Sequence, residues 1–272
     1  MNLKTDFPWR KYEKKELMVE YEKLKNSLCT KIIFPIPFSV TGFKCSDSFT
    51  QYERMNTPGI NKPSTIEYWN KKKDKIKKFG DKMNQNYFII ANYFNHAPSH
   101  FPIVTAGKIY RYFGANKVFD PYAGWGDRCL AAMALNIDYI GIEKNKKLKQ
   151  PYSKIIKTYH SNSNIEIFFD SCENINIKNI KFDFVLTSPP FWKQGKMLER
   201  YSDKEIDYQF FMTNSLIPVI QKCIDRNVWV CLYIPIDMYN DLVEVFGKCN
   251  KKIKCKFNHR ESSLIYCWKN DV

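Results

Sequence analysis

The stretch KVFDPYAGWGDR, residues 117–128, contains the pattern that decides the fold. It begins with a short apolar run, rich in β-forming residues, that ends at Asp120. Gly124 and Gly126 follow, and glycines at a strand end allow a tight turn and let a ligand approach the backbone. A helix-compatible segment, 127–136, comes next. The stretch therefore predicts a strand, a glycine-rich turn and a helix, the unit of parallel α/β sheets.

The glycine turn differs from two common nucleotide-binding patterns. Arg128 and Cys129 stand where the third glycine of G-x-G-x-x-G would lie, and the turn has no Gly-Lys-Ser of a P-loop. An acidic strand end followed by G-x-G and a helix favours a nucleoside ligand without a pyrophosphate. The alternative is an ordinary strand-to-helix turn.

The alternation of strands and helices continues to the end of the chain. Helices are predicted at 127–136, 146–160 and 205–225, and a further helix is predicted from Asp237. Alternating elements of this kind imply a mostly parallel sheet with right-handed crossovers, and the last two runs, KIKCKF and SSLIYCWK, predict an antiparallel hairpin. The strands of the α/β fold are predicted at 117–124, 138–145, 165–171, 182–190 and 227–236, followed by that hairpin.

Acidic residues end the second and third predicted strands. Glu143 lies about 20 residues past the glycine turn, where a carboxylate can accept both hydroxyls of a ribose. Asp170, followed by Ser171, ends the third strand and can accept from an adenine amino group. Acidic strand ends are common, so their order and spacing carry more weight than either residue alone.

The fourth strand runs into FDFVLTSPPFW, residues 182–192. Two consecutive prolines fix φ and present carbonyls without a competing N–H. The oxygens of Ser188 and Pro189 can accept from one amino group while Phe191 stacks on the ring that bears it. Such acceptors stabilise the charge that develops on a poorly nucleophilic amine during attack. The alternative is a structural strand end with packed aromatic rings.

Together these motifs resemble the class I S-adenosylmethionine-dependent methyltransferases, and more closely the DNA amino-methyltransferases that modify adenine N6 or cytosine N4. DPYAGWG is similar to their glycine motif, IEKN to their ribose site and TSPPF to their catalytic motif, in the form found in phages and large DNA viruses. The segment 99–114 is similar to the one that precedes the glycine motif. The resemblance implies a Rossmann-like methyltransferase fold with a seven-stranded sheet, and S-adenosyl-L-methionine as cofactor. It implies cofactor contacts from Phe101, Pro102, Asp120, Tyr122, Ala123, Gly124, Gly126, Glu143, Asp170 and Ser171, and catalytic roles for Ser188, Pro189, Pro190 and Phe191.

The resemblance also implies the reaction. We expect methyl transfer to the exocyclic amine of a base, with adenine N6 of DNA first, cytosine N4 of DNA second and adenine N6 of RNA third. A base in a duplex must be flipped out of the stack, which costs a few kcal/mol. The alternatives from other classes are a catalytically inactive nucleic-acid-binding subunit and a methyltransferase of small molecules or proteins.

The charge distribution predicts where nucleic acid binds. The net charge is +15, and residues 1–100 carry 18 basic and 10 acidic side chains. An excess of cations favours a polyanionic partner, although lysine-rich coding is the alternative. We therefore predict a methyltransferase domain at 100–272 and, at 1–99, a basic and largely helical or irregular extension that recognises the substrate. The predicted nucleic-acid contacts are Lys71, Lys72, Lys73, Trp192, Lys193, Lys196 and Arg200.

Cysteine usage and hydropathy predict an intracellular protein. Nine cysteines occur without a C-x-x-C pair, which indicates reduced thiols. Pro98 separates His96 from His100, so a helical metal-binding pair is not expected. The sequence has no secretory signal and no apolar run of about 18 residues, so we predict no membrane span.

Overall fold

A computed structural model describes residues 7–58, 63–77, 98–193, 196–197, 207–257 and 262–270. The helices are α1 (Lys14–Cys29), α2 (Phe43–Asn56), α3 (Thr65–Lys77), α4 (Ile103–Phe113), α5 (Asp127–Ala134), α6 (Lys149–Thr158), α7 (Tyr208–Phe211), a π-helical turn (Met212–Leu216), α8 (Ile217–Ile224) and α9 (Ile236–Phe246). The strands are β1 (Lys117–Asp120), β2 (Asp138–Ile142), β3 (Ile165–Phe168), β4 (Phe184–Thr187), β5 (Trp192–Lys193), β6 (Lys196–Met197), β7 (Trp229–Tyr233), β8 (Lys251–Lys256) and β9 (Ser262–Trp268).

Seven strands form one sheet in the order β3-β2-β1-β4-β7-β9-β8. The first five in that order pair in parallel, and β9 pairs antiparallel with both β7 and β8. The predicted fold class is confirmed: the sheet is mostly parallel, has seven strands and ends in a C-terminal antiparallel hairpin, as in Rossmann-like methyltransferases. Strands β5 and β6 form a separate two-stranded pair directly after β4.

Alternate residues of each strand enter two separate cores because side chains in a strand point to opposite faces. On β1, Val118 belongs to a core that includes residues of α4, α5 and α6. Its neighbour Phe119 belongs to the core on the other face, with residues of α8 and α9. The sheet is therefore covered on both faces, and its carboxyl edge is left for the loops.

The described part of the N-terminal extension packs against the first of these cores. Helix α1 buries Leu17, Tyr21, Leu24 and Leu28 at helical spacing, within the range predicted for it. Further on, Ile36 forms a parallel bridge with Cys255 of β8. The extension thus completes one layer of the sheet domain.

Helix α3 begins with the predicted cap. The side chain of Glu67 accepts from the Ser64 N–H at 2.7 Å, and Ser64 Oγ accepts from the Glu67 N–H at 3.2 Å. This reciprocal pair is a capping box. Lys71 and Lys72 are exposed on the helix that follows.

All nine cysteines are free, seven of them buried. No group of three potential ligands that could hold a metal ion occurs among the described residues. Within the same ranges, the helices are too short or too polar to span a bilayer.

Candidate active site

The glycine turn joins β1 to α5 at the carboxyl edge of the sheet. Gly124 has a φ of +64° and Gly126 a φ of +88°, in the left-handed region that strains other residues. A Cβ on Gly126 would lie 3.1 Å from Ile155 Cδ1, so this glycine is required for packing. A Cβ on Gly124 would meet nothing closer than 4.0 Å. The backbone at Gly124 is therefore open to a ligand.

Asp120, predicted to contact the cofactor, is fully buried beneath this turn. Its carboxylate accepts from Arg128 Nε at 2.7 Å and from the hydroxyls of Tyr139 and Thr187 at 2.6 Å each. In this arrangement Asp120 is an internal anchor of the turn rather than a carboxylate exposed to a ligand. The sequence could not indicate this, because two of the three donors come from other strands.

Thr187 connects the glycine turn to the SPPF motif. It is the last residue of β4, and its Oγ1 donates to Asp120 and accepts from the Tyr122 N–H at 3.2 Å. The next residue along the chain is Ser188. One buried hydroxyl therefore fixes the start of the SPPF motif beside the turn.

Glu143 follows β2 and is 6% exposed. Its Oε2 accepts from the Gly124 N–H at 2.8 Å, and its Oε1 accepts from the Asn145 N–H at 2.7 Å. Burial raises the pKa of this carboxyl to about 7, although the two N–H donors act against the rise. Each oxygen keeps one further lone-pair site, so the group can accept two more hydrogen bonds.

Asp170 and Ser171 follow β3. Asp170 Oδ1 accepts from Asn174 Nδ2 at 2.9 Å and from the Ser171 N–H at 2.7 Å, and these bonds lower the pKa of the carboxyl. Both bonds use the same oxygen. Asp170 is only partly buried, so its other oxygen is available for a ligand amine.

Asp127, which sequence reasoning missed, ties the segment before α4 to the glycine turn. It is the first residue of α5, and its carboxylate accepts from the Phe101 N–H at 3.0 Å and lies 3.1 Å from His100 Nδ1. Ser46 of α2 donates to it at 2.5 Å. The backbone of Phe101 is thus held next to the turn, as the resemblance implied for this residue.

A second carboxylate extends this cluster into the N-terminal extension. Asp47 of α2 lies 3.5 Å from His100 Nε2 and pairs with Arg54. Burial alone lowers the pKa of His100, but the two carboxylates outweigh burial and raise it above its usual value. The cationic imidazolium therefore lies between two buried carboxylates and joins α2 to the glycine turn.

The SPPF motif occupies the predicted position directly after β4. Pro189 is buried, while Ser188, Pro190 and Phe191 are partly exposed. The Phe191 ring meets the Tyr233 ring at 5.2 Å and 72°. Partial exposure of Phe191 next to the glycine turn is compatible with contact with a ligand.

Two further aromatic residues complete a cluster around Phe191. Tyr233 ends β7 and stacks on Phe257, with ring centroids 3.8 Å apart and planes 6° from parallel. The Phe101 ring meets Phe257 edge-on at 5.0 Å. Sequence reasoning missed Tyr233 and Phe257, because each is only an aromatic residue at the end of a strand, and the pairing of β7, β9 and β8 brings them together.

Trp192 requires a correction. It was predicted to contact nucleic acid, but it is 2% exposed and stacks on Phe211 at 4.4 Å and 22°. Its ring also meets Tyr208 at 5.7 Å. Helix α7 therefore covers Trp192, which belongs to the core in this structure.

The remaining predicted nucleic-acid contacts fall in different places. Lys193 and Lys196 are register partners in the β5–β6 pair after the SPPF motif. Arg200 lies outside the described residues. Lys71 and Lys72 are exposed on α3, and Lys73 is partly exposed. Their contact with nucleic acid stays a prediction.

Comparisons with known proteins give one family and a set of solved structures. Residues 129–235 match the model of a chordopoxvirus protein family, which is less than half of the chain. No curated protein matches the sequence.

The similar structures are distant in sequence. One is an rRNA methylase from Streptococcus thermophilus, at 12% identity and a TM-score of 0.43, covering 64% of this chain and 100% of the other. The hMettl16 catalytic domain in complex with the MAT2A 3′UTR hairpin 6 has 12% identity and a TM-score of 0.46, covering 68% and 80%. The tRNA (uracil-54, C5)-methyltransferase of Pyrococcus abyssi, in complex with S-adenosyl-L-homocysteine, has 12% identity and a TM-score of 0.44, covering 63% and 40%.

Proposed function

We propose that this protein transfers a methyl group from S-adenosyl-L-methionine to the exocyclic amine of a nucleic-acid base. The observation that carries the proposal is the Thr187 hydroxyl, which joins the last residue before the SPPF motif to Asp120 beneath the glycine turn at 2.6 Å. The turn has the features of a cofactor site and the motif those of an amine-binding site. Their direct connection supports a single reaction centre.

The residues around the turn fit the cofactor. The backbone at Gly124 is open, as methionine binding requires. Glu143 has two acceptor positions left beside it, the number that the two ribose hydroxyls need. Asp170 keeps one oxygen for the adenine amine. When bound, S-adenosyl-L-methionine supplies an electrophilic methyl group.

The chain's own groups prepare the acceptor amine. Ser188 Oγ and the Pro189 carbonyl accept its two N–H bonds, and Phe191 stacks on the base. These acceptors stabilise the positive charge that grows on the nitrogen as it forms its new bond, and one amine proton is then released to solvent. Pro189 has no N–H of its own to compete with the substrate.

Adenine N6 of DNA is the acceptor that the motif resemblance ranks first, before cytosine N4 of DNA and adenine N6 of RNA. The test is incubation of the protein with tritiated cofactor and duplex DNA, single-stranded DNA or RNA, followed by nucleoside analysis. We expect label on an exocyclic nitrogen in at least one arm. Label on protein or on a small molecule, or on a ring carbon, would contradict the proposal.

A Pro189→Ala, Phe191→Ala double variant tests the assigned roles. We expect it to bind S-adenosyl-L-homocysteine as the wild type does in calorimetry, because neither residue holds the cofactor, and to lose methyl transfer. Transfer at the wild-type rate would remove the SPPF motif from the mechanism. Cofactor binding together with nucleic-acid binding, but no transfer by the wild type, would instead indicate a non-catalytic subunit.

A further inference from the structure

Strand β8 is the last strand of the sheet and carries an unusual concentration of positive charge. It pairs with β9 on one side, and on the other Ile36 bridges to it at Cys255. Residues 247–257 contain five lysines and no acidic residue. This part of the chain was not among the predicted nucleic-acid contacts.

Three of the lysines share one face of β8. Ile253 and Cys255 point into the core and are at most 4% exposed. Lys252, Lys254 and Lys256 alternate with them, and the first two are exposed while the third is partly so. Alternate residues of a strand lie about 7 Å apart, so these side chains form a row.

The charges of this row are not neutralised within the described parts of the protein. The Lys252 ammonium lies 5.0 Å from the Tyr239 ring and 5.7 Å from the Tyr266 ring, and those rings stack on each other at 3.9 Å. The aromatic pair orders the ammonium group without removing its charge. None of the three lysines pairs with a carboxylate in those same parts of the chain.

The row ends beside the candidate active site. Phe257 follows Lys256 and stacks on Tyr233 at 3.8 Å, and Tyr233 meets Phe191 at 5.2 Å. Strand β8 is parallel to β7, because both pair antiparallel with β9. The row therefore runs along the sheet edge toward the same end as the SPPF motif.

We propose that Lys252, Lys254 and Lys256 form a track for the backbone phosphates of the substrate strand, leading the target nucleotide to Phe191. The inference rests on the proposed function for the identity of the substrate. Ammonium groups at a regular spacing suit a row of phosphates, and they contribute affinity without reading sequence. The structural alternative is that lysines on an edge strand only prevent edge-to-edge aggregation.

The test compares two triple variants with the same change in charge. K252Q/K254Q/K256Q removes the row, and K149Q/K154Q/K157Q removes three exposed lysines of α6. Fluorescence anisotropy with labelled RNA and DNA oligonucleotides, over a range of salt, gives the affinity and its salt slope. We expect the β8 variant to lose affinity about tenfold or more and its salt slope to fall by about 2, from about 0.7 per phosphate contact. The RNA and DNA arms show which strand the track prefers.

Equal effects of the two variants, or wild-type affinity in the β8 variant, would overturn the proposal. Poor solubility of the β8 variant with wild-type affinity of the soluble monomer would assign the lysines to edge protection. Binding of S-adenosyl-L-homocysteine checks that the fold is intact. If wild-type protein methylates nucleic acid but the β8 variant binds normally, only the track fails. If wild-type protein binds through β8 but methylates nothing, only the proposed reaction fails.

Discussion

Glu143 is the residue whose chemistry depends most on its surroundings. With a pKa of about 7, its carboxyl is largely neutral in mild acid and ionised in mild base. A carboxylate accepts ribose hydroxyls at both oxygens, whereas the neutral group has lost one acceptor. We therefore predict that affinity for S-adenosyl-L-homocysteine rises from about pH 6 to about pH 8. In Glu143→Gln we expect no such rise and a loss of about 1–3 kcal/mol at the upper pH, measured by calorimetry.

The same pKa fixes the sign of a stability effect. The folded-state pKa lies above the ordinary 4.5, so the contribution of Glu143 to stability is complete below 4.5 and is lost as the pH rises through 7. Glu143→Gln should flatten this dependence in urea titrations. Glu166→Gln, at an exposed position of β3, is the matched control and should leave it unchanged. An unchanged pH profile of binding in Glu143→Gln would remove Glu143 from the cofactor site.

At the scale of elements, the contact between β4 and the glycine turn is a single side chain. Thr187→Val keeps the shape of the residue but leaves the Tyr122 N–H and one oxygen of Asp120 without this partner. We predict a loss of about 1–3 kcal/mol in the free energy of unfolding, the cost of unpaired buried groups. We also expect a lower kcat, because the SPPF motif is no longer fixed beside the turn.

Thr50→Val is the control for this change. Thr50 is equally buried, but its hydroxyl only donates to the Ser46 carbonyl one turn earlier in α2. We expect a smaller loss of stability and an unchanged kcat. If both variants lower kcat equally, the connection through Thr187 has no special role in the reaction.

Helix α3 carries the prediction on salt dependence. If the extension contacts phosphates, the K71Q/K72Q/K73Q variant should reduce the slope of log affinity against log salt by about 2. The glutamines keep the helix, since they have a similar helix propensity, and the Ser64–Glu67 cap is untouched. An unaltered slope in anisotropy titrations would make this run a solvated helix face.

At the scale of the whole molecule, the extension and the sheet domain share one core. Leu28 of α1 is fully buried, and a Cβ on Gly107 of α4 would lie 2.4 Å from Leu28 Cδ2. We predict that Leu28→Ala lowers the free energy of unfolding by about 2–5 kcal/mol and keeps a single transition. Val19→Ala, at a position 49% exposed on the same helix, should change it little. Two separate transitions in Leu28→Ala would mean that the extension unfolds independently.

The sequence predicted the parts of the fold that depend on neighbours along the chain. The alternation of strands and helices, the cap at Ser64 and the glycine turn follow from local spacing and backbone chemistry. The burial of Asp120 and Trp192 did not follow, because it depends on Tyr139, Thr187 and Phe211, which tertiary packing supplies. The aromatic pair of Tyr233 and Phe257 was missed for the same reason.

The buried charges of Asp47, Arg54, His100 and Asp127 have a thermodynamic consequence. Separating α2 from the glycine turn would leave charges unpaired in the protein interior, which costs several kcal/mol. The two elements therefore move together or not at all. A ligand that displaces α2 must change the affinity of the turn for its own ligand, and by linkage the turn's ligand changes the affinity of α2 by the same factor. Four side chains thus make the extension and the turn a heterotropic pair.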